Sequence, residues 1–162
     1  MPDEKPKGCL IAIFNALGLS PSHGNEPAQD ETLPYERNNE LLTAAERLFY
    51  GVLVEAVANR HLICPKVRLA DLLLIRKGTQ RRQKYFNKIQ AKHVDFVLAD
   101  PQTLRPLLAI ELDDASHQRR SRQERDTFVE MACDAAGLPI LRVPAKAAYN
   151  AQDLARSINA AI

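Results

Sequence analysis

Two apolar runs, HVDFVLAD (93–100) and RPLLAIELDD (105–114), flank the turn-prone sequence Asp100-Pro101-Gln102-Thr103, and they constrain the fold more than any other part of the chain. Short runs rich in Val, Leu, Ile and Phe, joined by so brief a turn, predict a β-hairpin. Its strands carry acids where burial is expected. Side chains alternate across a strand, so Ala109, Glu111 and Asp113 share one face, while Leu108, Ile110 and Leu112 share the other. In the partner strand Asp95 interrupts Val94, Phe96, Val97 and Leu98. An ionised carboxylate in such surroundings is costly unless a cation or hydrogen-bond donors compensate it. Singly, each acid would be an ordinary strand-end residue or an arginine's partner, and Asp113 and Asp114 also read as loop residues. Jointly, Asp95, Glu111 and Asp113 predict one hard divalent ion, Mg²⁺ or Mn²⁺, with waters completing the octahedron. Clustered acids repel unless something neutralises them.

Around the hairpin the chain reads as one folded domain behind a tail. Thr43 followed by Glu46 forms a capping box, and Leu48, Phe49, Val52, Leu53 and Ala56 recur with helical spacing, predicting a first helix over about 43–58. His61–Val67, with Leu69 following, predicts a strand with Lys66, Arg68 and Ala70 on one side. From Arg76 to Lys92 there are seven basic residues and no acid, which predicts a basic amphipathic helix inserted after the first strand. Its Tyr85, Phe86 and Ile89 share helical spacing and are expected in the core. Ser121 and Glu124 form a second capping box for a helix ending near Ala136, with Gly137 as its stop. A strand over Pro139–Val143 and a final helix from about Asn150 or Asp153 complete the order. Residues 20–40 are polar, with three Pro and one Gly, and read as a linker. The expected organisation is a tail over 1–40, with a short apolar helix at about 9–19, and a domain over 41–162.

Charge is divided in the same way. Up to Glu46 there are eight acidic and three basic residues; from 47 onward there are 19 basic and 12 acidic. A basic body suits a polyanionic partner. The candidate phosphate contacts are Arg81, Arg82, Lys84, Lys88 and Lys92 on the insertion, and Arg119, Arg120, Arg122 and Arg125 beyond the hairpin. Cys9, Cys64 and Cys133 have no paired spacing, which argues against a disulfide framework or a zinc ribbon and makes a reducing, cytoplasmic setting the default. The segment Cys9–Leu19 is too short for a bilayer span and lacks a cleavage site, so neither an integral membrane span nor a signal peptide is expected.

Asp95 in HVDFVL, the hairpin, and Glu111 in AIELDDASH are similar in arrangement to the PD-(D/E)XK nuclease-like superfamily. The segments ERLFY, VDFV, IELDDASH, RQERD and AAGLPILRV further resemble its very-short-patch-repair-like branch and an uncharacterised bacterial domain family there, over about residues 41–160. The resemblance implies an α/β fold with a restriction-endonuclease-like core: a central mixed sheet of about four strands flanked by helices in αβββαβ order, with a helical insertion after the first strand. It implies Asp95 and Glu111 as metal ligands and Glu46 as a supporting acid. The chain departs from the motif at Asp113, where the superfamily usually has the lysine that orients the attacking water. Asp113 is then a further ligand, and Lys66 or His117 is left to act near the nucleophile, His117 because imidazole titrates near neutrality.

The expected activity is that of a divalent-metal-dependent DNA endonuclease or phosphodiesterase. The alternatives are a catalytically silent nucleic-acid-binding module on the same scaffold, or a protein-interaction domain tethered near a membrane by residues 9–19. A homodimer is compatible with the sequence, although no heptad pattern identifies an interface.

Overall fold

The computed structural model describes residues 33–113 and 120–162, excepting the side chains of 120–126. The chain divides into two units, Met1–Asn38 and Asn39–Ile162, and the elements below belong to the second. The apolar segment 9–19 lies outside the described residues, as do His117 and Arg119.

Helix α1 runs Ala44–Val57. Thr43 and Glu46 close its N-terminus as the sequence predicts: the Thr43 hydroxyl accepts from the Glu46 N–H, and the Glu46 carboxylate accepts from the Thr43 N–H. Phe49, Leu53, Ala56 and Val57 form its buried stripe. Strand β1 follows at Leu62–Arg68, then a single helical turn α2 at Leu69–Leu72 and the short helix α3 at Arg82–Ile89. The hairpin strands are β2, His93–Ala99, and β3, Pro106–Asp113. Its turn is organised by Asp100, whose Oδ1 accepts from the N–H groups of Gln102 and Thr103. Helix α4, Arg120–Ala136, leads to β4, Ile140–Pro144, and α5 closes the chain at Ala151–Ala161. The Asn150 side chain caps α5, accepting from the Gln152 and Asp153 N–H groups.

The four strands form one mixed sheet in the order β1-β2-β3-β4. The first three are antiparallel, and β4 lies parallel to β3. A parallel neighbour needs a crossover, which the segment containing α4 supplies. Pro65 lacks an N–H, and β1 is accordingly an edge strand, where a missing ladder donor is tolerated. Each face of the sheet is covered. Phe49 and Leu53 of α1, with Leu154 and Ile158 of α5, pack on Phe96, Leu98, Leu108 and Ile110. Val129 and Cys133 of α4, with Leu69, Leu73 and Ile89 from the insertion, pack on Val94, Val97 and Ala109. Among the described residues no helix is long and apolar enough to cross a membrane.

Several expectations are corrected. The stretch 76–92 is not one helix: Gly78 at φ 80 and Arg81 at φ 54 turn the chain before α3 begins. Tyr85 and Phe86 are not in the core, being 50% and 40% exposed, and Ile89 is the buried residue of that helix. Lys66, Arg68 and Ala70 do not share a strand face, because Ala70 lies in α2 and Lys66 is itself irregular. Helix α4 starts at Arg120, so Ser121 lies within it rather than at its cap.

Candidate functional site

Lys66 is a non-glycine residue at φ 54 in the middle of a strand. The left-handed region costs an L-residue roughly 1–2 kcal/mol, so something must hold Lys66 there. The ladder is in register on both sides of it, with Pro65 opposite Phe96 and Val67 opposite Val94, which places Lys66 across from Asp95. What changes is the facing of the side chains. Cys64 and Val67 both pack against the core on the α4 side, as do Val94 and Val97, although neither pair has the even spacing that strict alternation demands. The break falls at Lys66 on one strand and around Asp95 on the other.

The break brings Lys66 and Asp95 together with the buried Glu46 of α1. The Lys66 ammonium donates to Glu46 Oε1 at 2.5 Å and to Asp95 Oδ1 at 3.2 Å. The second oxygen of each carboxylate takes a backbone N–H. Glu46 Oε2 accepts from Thr43 at 2.9 Å, and Asp95 Oδ2 accepts from Leu112 at 2.9 Å. That last bond lies beyond the final ladder pair of β2 and β3, Phe96 with Ile110. The Asp95 carboxylate thus takes up a β3 backbone donor where the ladder stops.

The three side chains are 31%, 20% and 11% exposed for Lys66, Asp95 and Glu46, mostly withdrawn from water. Burial opposes charge on Glu46, but hydrogen bonds from Lys66 and Thr43 outweigh it and hold its carboxyl below the usual range. Burial likewise opposes charge on Lys66, and the Glu46 and Asp95 carboxylates outweigh it, raising the ammonium above its ordinary value. At neutral pH Lys66 is therefore a fixed cation and not a proton acceptor.

The acids of β3 are placed differently. Asp113 accepts from Arg142 Nη1 at 2.6 Å, and Arg142 Nε also pairs with Glu130 of α4. Glu111 lies between Ile110 and Leu112, which both pack on the α1 side, so alternation assigns it to the Ala109 face. Its charge acts with burial to push the Cys133 thiol up to about 11, which leaves that cysteine unreactive as a nucleophile. Among the described residues no three His, Cys, Asp or Glu side chains gather into a group that could hold a metal ion. The sequence singles out Asp95, Glu111 and Asp113 jointly; the fold joins Asp95 to Lys66 and Glu46, and Asp113 to Arg142. Sequence reasoning missed Arg142, whose signal was one arginine inside the apolar strand PILRV.

Of the basic residues, Arg81, Arg82, Lys84 and Lys88 are exposed and Lys92 is half-buried. Lys88 and Lys92 reach over the Phe128 ring at 5.5 and 5.2 Å, and Arg82 donates to the Ile75 carbonyl. Arg120, Arg122 and Arg125 lie in α4, with side chains outside the described residues.

A mixed α/β domain with a lysine-bridged pair of acids at the end of its hairpin ladder is the class that these observations define. The chain belongs to the family described as "Protein of unknown function (DUF2726)", which matches residues 38–162. No curated protein and no solved structure matches it.

Proposed function

We propose that this chain is a divalent-metal-dependent phosphodiesterase acting on nucleic acid, on a PD-(D/E)XK-like core of the restriction-endonuclease-like kind. One observation carries the reading: a strained lysine on β1 delivers its ammonium to Asp95. The superfamily motif would put that lysine at position 113, where this chain has an aspartate paired with Arg142. A lysine supplied by the neighbouring strand serves the same end.

Whether the residues fit a metal is decided by their donors. Mg²⁺ is commonly held by one or two carboxylates, with waters and substrate phosphates filling its octahedron. Glu46 and Asp95 already converge on one cation, the Lys66 ammonium, and so form such a pair. In this proposal they hold Mg²⁺ or Mn²⁺ once Lys66 turns toward substrate. The resemblance would add Glu111, while its strand position groups it with Ala109. When bound, the ion lowers the pKa of a water and offsets charge on the phosphate. The protein's own part is positional. Leu112 N–H and Thr43 N–H orient the two carboxylates, and the permanently charged Lys66 aligns the attacking water or an equatorial phosphate oxygen.

Calorimetric titration with Mg²⁺ and Mn²⁺, paired with plasmid nicking on the same preparations, tests this. Asp95→Ala is expected to lose both metal binding and nicking. Lys66→Ala is expected to bind metal at least as tightly, because a competing cation is gone, yet to nick at least about 100-fold more slowly. Glu111→Ala measured beside them shows whether β3 contributes a ligand. Undiminished nicking in Asp95→Ala would sink the proposal. DNA binding without nicking in either metal would favour the silent module, a reading that the Asp113–Arg142 pair at the motif-lysine position supports.

A further inference from the structure

The α2–α3 excursion is rooted at the candidate site. It leaves β1 two residues after Lys66 and re-enters β2 two residues before Asp95, at the paired positions Arg68 and His93. Two strand residues span about 7 Å, so the two ends of the excursion lie close to those side chains. Leu69, Leu73 and Ile89 fasten it to the sheet, and Lys88 and Lys92 over Phe128 fasten it to α4.

Its outer surface has an unusual composition. Lys84, Tyr85 and Lys88 fall within about 100° of arc and share one side of α3, and Arg81 precedes them at its N-cap. Among the described residues no acidic side chain pairs with any of them, and the sequence has no acid from 76 to 92. Tyr85 at 50% and Phe86 at 40% exposure turn much of their rings to solvent. Positive charge interleaved with accessible aromatic faces suits a strand whose phosphates and bases are both open to contact. In an intact duplex the base faces are hidden in the stack. An interfacial membrane helix needs a continuous apolar face free to enter the lipid. On α3 Ile89 lies between Tyr85 and Phe86 around the helix and is buried in the protein's own core, so no such face is free.

We infer that α3 is a binding arm for single-stranded or unpaired nucleic acid. Its role in presenting such a strand for cleavage rests on the phosphodiesterase reading; its binding of the strand does not. The substrate class is then nucleic acid with unpaired segments, such as single strands, overhangs or flaps.

Fluorescence anisotropy with the full chain in EDTA tests the arm, using a single-stranded DNA of roughly 20 nucleotides, longer than typical single-strand site sizes, and the matching duplex. Wild type is expected to prefer the single strand. The double variant Tyr85→Leu with Phe86→Leu keeps apolar bulk for packing and removes the π faces. It is expected to weaken single-strand binding about tenfold or more and to leave duplex binding within about twofold. A wild-type preference for duplex, or equal binding of the single strand by the double leucine variant, overturns the inference. So does recruitment to phosphatidylglycerol vesicles or to an acidic peptide without oligonucleotide binding. Single-strand preference without nicking in any metal would keep the arm and remove the phosphodiesterase; nicking with duplex preference would do the reverse.

Discussion

Lys66 combines an unfavourable backbone with two favourable ion pairs, and the balance is open to measurement. Both Lys66→Ala and Lys66→Gly remove the ammonium, but only glycine occupies φ 54 without a Cβ penalty. Lys66→Gly is therefore expected to be more stable than Lys66→Ala by about 1 kcal/mol in urea unfolding. Equal stabilities would mean that the backbone is not strained there. The ion pairs have their own pH signature. The Glu46 carboxyl is lowered from 4.5 on folding, so its contribution is present above that value and fades as pH falls below it. The Lys66 ammonium is raised from 10.5, so its contribution is present below that value and fades as pH climbs past it. Lys66→Met leaves two carboxylates facing each other without a cation, at an expected loss of about 2 kcal/mol near pH 7. That loss should shrink as pH falls below 4.5, where the Glu46 carboxyl takes up its proton; a loss independent of pH would assign it to packing instead.

At the scale of elements, the hairpin was legible because apolar runs of strand length and turn chemistry agree over 93–113. Asp95 was legible as an anomaly for the same reason: it breaks an apolar run. Its partners were only partly so. Lys66 was visible as a lysine on the preceding strand, but nothing in PKV announces a left-handed φ, which the edge position of β1 and the pull of two carboxylates impose. The Asp113–Arg142 pair spans 29 residues and depends on β4 lying parallel to β3, a pairing that local pattern does not encode. Tyr85 and Phe86 show the opposite failure, since helical spacing predicted packing and the short α3 has only one buried residue to offer. The first turn of α1 links element to site, because Glu46 both closes the capping box and receives Lys66. Thr43→Ala removes the hydroxyl that accepts from the Glu46 N–H at 3.3 Å, and is expected to cost about 0.5–1 kcal/mol of stability in thermal unfolding. A loss well above 2 kcal/mol would mean that the cap also maintains the Lys66 ion pairs.

For the whole molecule, what decides stability is where the buried side chains come from. The sheet is covered on one face by α1 and α5 and on the other by α4 and the insertion, and among the described residues every member of both cores lies between 42 and 161. The boundary between the chain's two units, Asn38 with Asn39, precedes all of them. A domain of this size buries enough apolar surface to fold alone. A protein consisting of residues 39–162 is therefore expected to unfold in a single cooperative transition. Its midpoint should lie within about 3 °C of the full chain's, the shift that roughly 1 kcal/mol produces at this size. Circular dichroism melts of the two proteins at equal concentration measure this directly. A midpoint lowered by about 10 °C would show that residues 1–38 contribute several kcal/mol, and that the two cores described here are not the whole of what holds the domain together.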